Sequence, residues 1–86
     1  MAIARGKFHD ARKGAAHRGI PFLLSFGQWW SIWQRSGHWD ERGRRRGQYV
    51  MARFADRGGY EVGNVRICTT TENHKEKRWT KATRAK

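Results

Sequence analysis

The sequence holds one cysteine, one proline and only seven acidic side chains, and it has no long apolar run. Each shortage excludes something. A single thiol, Cys68, closes no internal disulfide, and without a cysteine pair at ligand spacing there is no zinc knuckle or ribbon, which favours a reducing compartment. The N-terminus MAIARGKFHDARKG lacks the apolar core of a signal peptide, and no segment approaches the ~20 residues that span a bilayer. A cytoplasmic protein with no membrane partner is therefore expected.

What is present is cationic. Lys and Arg number 19 against the seven Asp and Glu, a formal net charge of +12, which attracts polyanions at long range. DNA or RNA is the partner whose phosphates answer that charge; an acidic protein face shares the attraction, and a merely solvated surface is the bland alternative. At 86 residues the chain has room for one domain and one small core. Five Trp and four Phe supply much of the apolar content, so that core is expected to be built from a few large rings.

Residues 1–17 read as a basic N-terminal arm, with a short helix around Lys7 to His17 and a frayed start, open to phosphate contact or simply solvated. In GIPFLLS, Pro21 biases Ile20 away from helix, giving a brief strand or an extended entry. Ser25 and Gln28 then form a capping-box pattern, and Phe26, Trp29, Trp30 and Trp33 fall on one helical face. This predicts a helix over about 26–36 that stops at Gly37, with its aromatic stripe in the core rather than stacked on bases.

Composition turns to charge and glycine over 38–47, marking a loop that carries Arg42, Arg44, Arg45 and Arg46. Crowded guanidiniums with flanking glycines suit a phosphate grip better than a purely solvated run. QYVMARF and VRICT read as strands around the turn-rich ADRGGYEVGN, and Thr69 with Glu72 caps a last, Lys- and Arg-rich helix. Tyr60, Val62, Val65 and Ile67 are expected in the core, with Cys68 as a small buried hydrophobe. The fold class is α+β: one small domain over 18–86, with a strand–loop–strand–helix finger over about 48–82 behind the aromatic helix.

RGIPF at Arg18 to Phe22 and ARFADRGGYEVGNVRICTTTEN at Ala52 to Asn73, with the aromatic helix between them, resemble the HNH endonuclease family, whose small phage and prophage members carry a ββα-metal finger. The resemblance covers about three quarters of the chain. It implies a finger in which the first strand ends on a metal ligand followed by a histidine base, a central Asn braces the loop, and a residue of the helix binds metal. Asn64 matches the bracing position and Asn73 the helix position. Ala52 stands where the first ligand belongs and Arg53 where the base belongs.

Phosphodiester hydrolysis by such a site needs a group that takes a proton from water near neutral pH, which a guanidinium cannot do. A hard cation such as Mg²⁺ also prefers carboxylate oxygen, so Asn73 alone is a weak candidate for a metal ligand. Replacement groups are Asp56, three residues past Arg53, and the imidazoles of His74, His9, His17 and His38. His74 follows Asn73 and points ~100° away from it around the helix axis.

Arg53 is instead expected to hold a phosphate, joined by Arg42, Arg44, Arg45, Arg46, Lys75 and Arg78; Lys77, Lys81 and Arg84 extend the cationic helix, and Trp79 gives it an apolar anchor. The expected function is an HNH-like, phage-type protein of the bacterial host cytoplasm that grips nucleic acid without cutting it and needs no cofactor. One alternative is an inhibitor of a host nucleoprotein defence complex, of anti-CRISPR type. Another is a nicking endonuclease dependent on Mg or Mn.

Overall fold

Helix α1 (Ala2–His17) forms from a segment whose apolar positions are mostly alanine. In the computed structural model, which describes residues 2–75, it starts five residues earlier than Lys7 and is part of the core. This corrects the expectation of a frayed or solvated arm. Ala4, Phe8, Ala11 and Ala15 recur at spacings that share one helical face, and Ala4, Phe8 and Ala15 are buried. Alanine loses no side-chain entropy in a helix, and its small side chain lets α1 approach its neighbours closely. Phe8 profits from that approach: its ring meets Phe22, Phe26 and Trp29 edge-on at 5.6, 5.5 and 5.6 Å.

Helix α2 (Phe26–Ser36) is bounded as its local signals predict. The Ser25 N–H donates to Gln28 Oε1 at 3.0 Å and the Gln28 N–H to Ser25 Oγ at 3.1 Å, while Gly37 turns left-handed at φ 75° and ends the helix. Trp29 and Trp33 are buried and Trp30 half-buried. Trp39, on the 3-10 turn Trp39–Glu41, meets Trp29, Trp30 and Trp33 edge-on at 5.7, 4.8 and 5.5 Å. Such tilted pairs add to the burial of each ring, so the stripe is core.

Strand β1 (Tyr49–Arg53) pairs antiparallel with β2 (Val65–Thr69), setting Met51 opposite Ile67 and Arg53 opposite Val65. Tyr49, Met51, Val65 and Ile67 pack against the aromatic cluster, and Cys68 is buried. Val62 departs from expectation: it sits 64% exposed on the turn before β2. GIPFLLS is an extended entry with one bridge, Phe22 to Tyr60, in which Leu24 is buried and Leu23 exposed. There the Tyr60 N–H donates to Pro21 O at 2.9 Å and the Leu23 N–H to Tyr60 O at 2.8 Å.

A third helix, α3, occupies 70–75, where the described residues stop; the expected extent to 82 lies outside them. The described residues thus form a small α+β domain of three helices and one two-stranded antiparallel sheet, and no helix among them is long and apolar enough to cross a membrane.

The cap of α3 has a pH signature. Glu72 Oε1 accepts from the Thr69 N–H at 3.0 Å and from Thr69 Oγ1 at 2.9 Å, and these bonds, the backbone one foremost, hold its carboxyl below the ordinary carboxylate value. A group lowered in this way stabilises the fold above its unfolded pKa, and the contribution is lost as pH falls through the folded one. Glu72→Gln keeps the cap geometry and removes that titration. Melting temperatures followed by circular dichroism from neutral pH to pH ~3 should fall further for the wild type than for the variant. Parallel curves would refute the assignment.

Candidate functional site

Three arginines stand where β1, the loop after it, α1's C-terminal end and α3 meet. They are Arg18, Arg44 and Arg53, bordering a cleft of about 370 Å³. Each is placed by a different device.

Arg53 ends β1. Its Nη1 donates to Gly58 O at 2.6 Å and its Nη2 to Asp56 Oδ1 at 2.9 Å, leaving the side chain 12% exposed at the cleft wall. The loop it latches is strained, because Ala55 and Asp56 both lie at φ 54°. Left-handed backbone costs roughly 1–2 kcal/mol for a residue with a Cβ, less for Asp, so surrounding bonds must hold it. Asn64 supplies two of them, donating from Nδ2 to Arg57 O at 2.8 Å and Gly59 O at 2.9 Å. That is the loop-bracing geometry expected of it.

Arg18 reaches the site from the end of α1. Its Nε donates to Gly14 O at 3.1 Å and its Nη2 to the Tyr60 hydroxyl at 3.2 Å. The guanidinium carbons of Arg18 and Arg53 lie 6.0 and 5.7 Å from the Tyr60 ring centroid, within cation–π range. Arg44 is exposed on the charged loop. The loop is tied to β1 and α3: the Gly43 N–H donates to Tyr49 O at 3.0 Å and Thr70 Oγ1 to Arg45 O at 3.1 Å, while the Gln48 N–H closes the loop on Arg45 O at 2.9 Å.

The other candidates are placed differently. Arg42 donates to Trp39 O at 2.9 Å and lies 3.9 Å over the Trp39 ring, so it borders a neighbouring cleft rather than this one. Arg45, Arg46 and Lys75 are exposed and border neither cleft. Arg78, with Lys77, Trp79, Lys81 and Arg84, lies outside the described residues.

Asn73 and His74 both border the arginine cleft, which corrects the expectation that His74 faces elsewhere. Adjacent helical positions do diverge by ~100°, but the cleft crosses the first turn of α3 and is wide enough to meet both. His9, bonded to Arg12 at 3.3 Å, the exposed His17, and His38, stacked on Tyr49 at 3.8 Å with Nδ1 2.7 Å from Glu41, do not reach it.

The donors at this cleft do not fit the divalent cation that the resemblance implies. Ala52 offers no side-chain ligand atom, and the one carboxylate at the cleft among the described residues, Asp56, already answers the Arg53 guanidinium at 2.9 Å, a cation that would repel a metal. Among the described residues no three His, Cys, Asp or Glu side chains are grouped to hold a metal.

Arg18 is the site residue that sequence reasoning missed. Its partner Tyr60 is 42 residues away, and the only hint was its place at the head of RGIPF. Comparison of the chain with protein-family models, with curated proteins and with solved structures gives no match.

Proposed function

We propose that the protein binds the phosphate backbone of nucleic acid at the cleft of Arg18, Arg44 and Arg53, and that it holds the strand without cleaving it. One observation supports this reading above the others: among the described residues, three arginines and one acidic residue border a single cleft in a chain of net charge +12. A phosphodiester entering there meets forked donors at fixed positions, and Arg44, free at the rim, supplies the first contact. Arg53 stands at the place of the water-activating base in the HNH resemblance and has no proton-accepting capacity. Contact in this cleft is through phosphate, so its contribution to affinity is expected to be the same whatever base is attached and to fall steeply with salt.

Fluorescence anisotropy with labelled oligonucleotides over a salt series tests this. Arg44→Ala and Arg18→Ala should each weaken binding and lower the slope of log K against log salt by about one. Unchanged affinity in the double variant, with its fold verified by circular dichroism, would refute the reading. A competing reading, a metal-dependent nicking enzyme, draws on Asn73 and His74 bordering the same cleft. Plasmid nicking in Mg²⁺ or Mn²⁺ that disappears in His74→Ala would favour it and end the binding-only proposal.

A further inference from the structure

Next to the arginine cleft lies a second one, of about 600 Å³, between α1 and the charged loop. Arg44, Val50 and Met51 border both, so the two clefts are neighbours along β1 and the charged loop. The two differ in chemistry. Trp39, with the Arg42 guanidinium 3.9 Å over its ring, gives the second cleft a flat wall. Around that wall stand Lys7 and Arg44 and two carboxylates, Asp10 and Asp40.

The carboxylates are the unexpected part. Only seven acids exist in the chain, yet two border this cleft beside three cations. Among the described residues neither closes an ion pair; the pairs formed are His38–Glu41 and Arg53–Asp56. Two carboxylates at the edge of a phosphate-binding surface weaken its hold on phosphate and remain as unpaired acceptors. A group that brings amino donors on a flat ring satisfies all of these features: the ring lies on the guanidinium–indole wall, and its exocyclic amine donates to a carboxylate.

We infer that this second cleft takes an unpaired nucleobase bearing an exocyclic amine, from the same strand whose phosphate occupies the arginine cleft. The inference rests on the proposed phosphate binding and adds to it a preference for single strands and for amino-bearing bases. In a duplex the base is stacked and paired, out of reach of the wall. Cytosine presents its N4 amine to Asp10 or Asp40, whereas thymine presents a carbonyl oxygen at the corresponding position and is repelled.

The test compares short fluorescein-labelled oligonucleotides of cytosine only and thymine only, single-stranded and in duplex with their complements, against the full chain and the Asp10→Asn/Asp40→Asn variant. Both residues are exposed, so the variant retains the fold. The wild type should bind the cytosine strand about fivefold more tightly than the thymine strand, and either single strand more tightly than duplex. In the variant, affinity for thymine should rise and the preference fall below about twofold, because an amide both donates and accepts. A merely electrostatic role would raise both affinities equally and leave their ratio unchanged, which would overturn the inference. Equal binding of both strands by the wild type would overturn it as well, with phosphate binding intact. Binding of no oligonucleotide at all would remove both proposals.

Discussion

Phe8→Ala is expected to lower the stability of the fold by about 3–5 kcal/mol, read as a shift in the urea unfolding midpoint. The size of the effect follows from the position of the ring. Phe8 is 7% exposed and touches three other aromatic rings edge-on, one from the extended entry and two from α2. Its removal forfeits the transfer free energy of the ring and opens a void that rigid indoles and phenyls cannot collapse to fill. Domains are stable by only about 5–15 kcal/mol in all, so the variant should be largely unfolded at a temperature where the wild type is not. Ile3→Ala on the same helix, at a side chain 66% exposed, serves as the comparison and should stay within ~0.5 kcal/mol of the wild type. If the two substitutions proved equally mild, α1 would not be part of the core.

Gly59→Val should be nearly as damaging, for a reason of space rather than of burial lost. A Cβ at Gly59 stands 2.9 Å from Pro21 O and 3.0 Å from Pro21 Cβ, closer than such atoms approach, and the first of these is backbone. The carbonyl cannot withdraw without giving up its bond from the Tyr60 N–H at 2.9 Å. Crowding of this kind costs about 1–3 kcal/mol, and each backbone hydrogen bond lost adds about 0.5–1.5 kcal/mol. Because Tyr60 also anchors Arg18 at 3.2 Å, the same variant should bind oligonucleotide less well even where it remains folded. A melting temperature equal to that of the wild type would show that the entry strand is free to move aside.

The difference between what the residues announced and what they concealed is one of range. Helix α2 was legible to its last residue because its signals are local: Ser25 with Gln28 at one end, Gly37 at the other, and rings at helical spacing between. The cap at Thr69 and Glu72 was legible through a three-residue pattern. The start of α1 was not, because its inward face is mostly alanine, which carries little weight in a hydrophobicity pattern. Nor was Arg18, whose meeting with Tyr60 is decided by the fold. The charge run over 38–47 marked a loop but could not say which arginine faces which cleft: Arg42, packed on Trp39, borders only the second cleft, whereas Arg44 borders both. The latch from Arg53 to Asp56 was within reach, since the two are three residues apart, but it takes a pair of left-handed residues to bring them together.

The bridge between Phe22 and Tyr60 bears on how portable the second half of the molecule is. A two-stranded hairpin has little stability of its own, and here its intervening loop is sewn to polypeptide that was laid down before α2. The strands and the helix behind them are therefore not a cassette that could be excised or grafted: their shape is borrowed from the N-terminal half, and any inheritance of this surface by another protein would have to carry α1 and the entry strand with it.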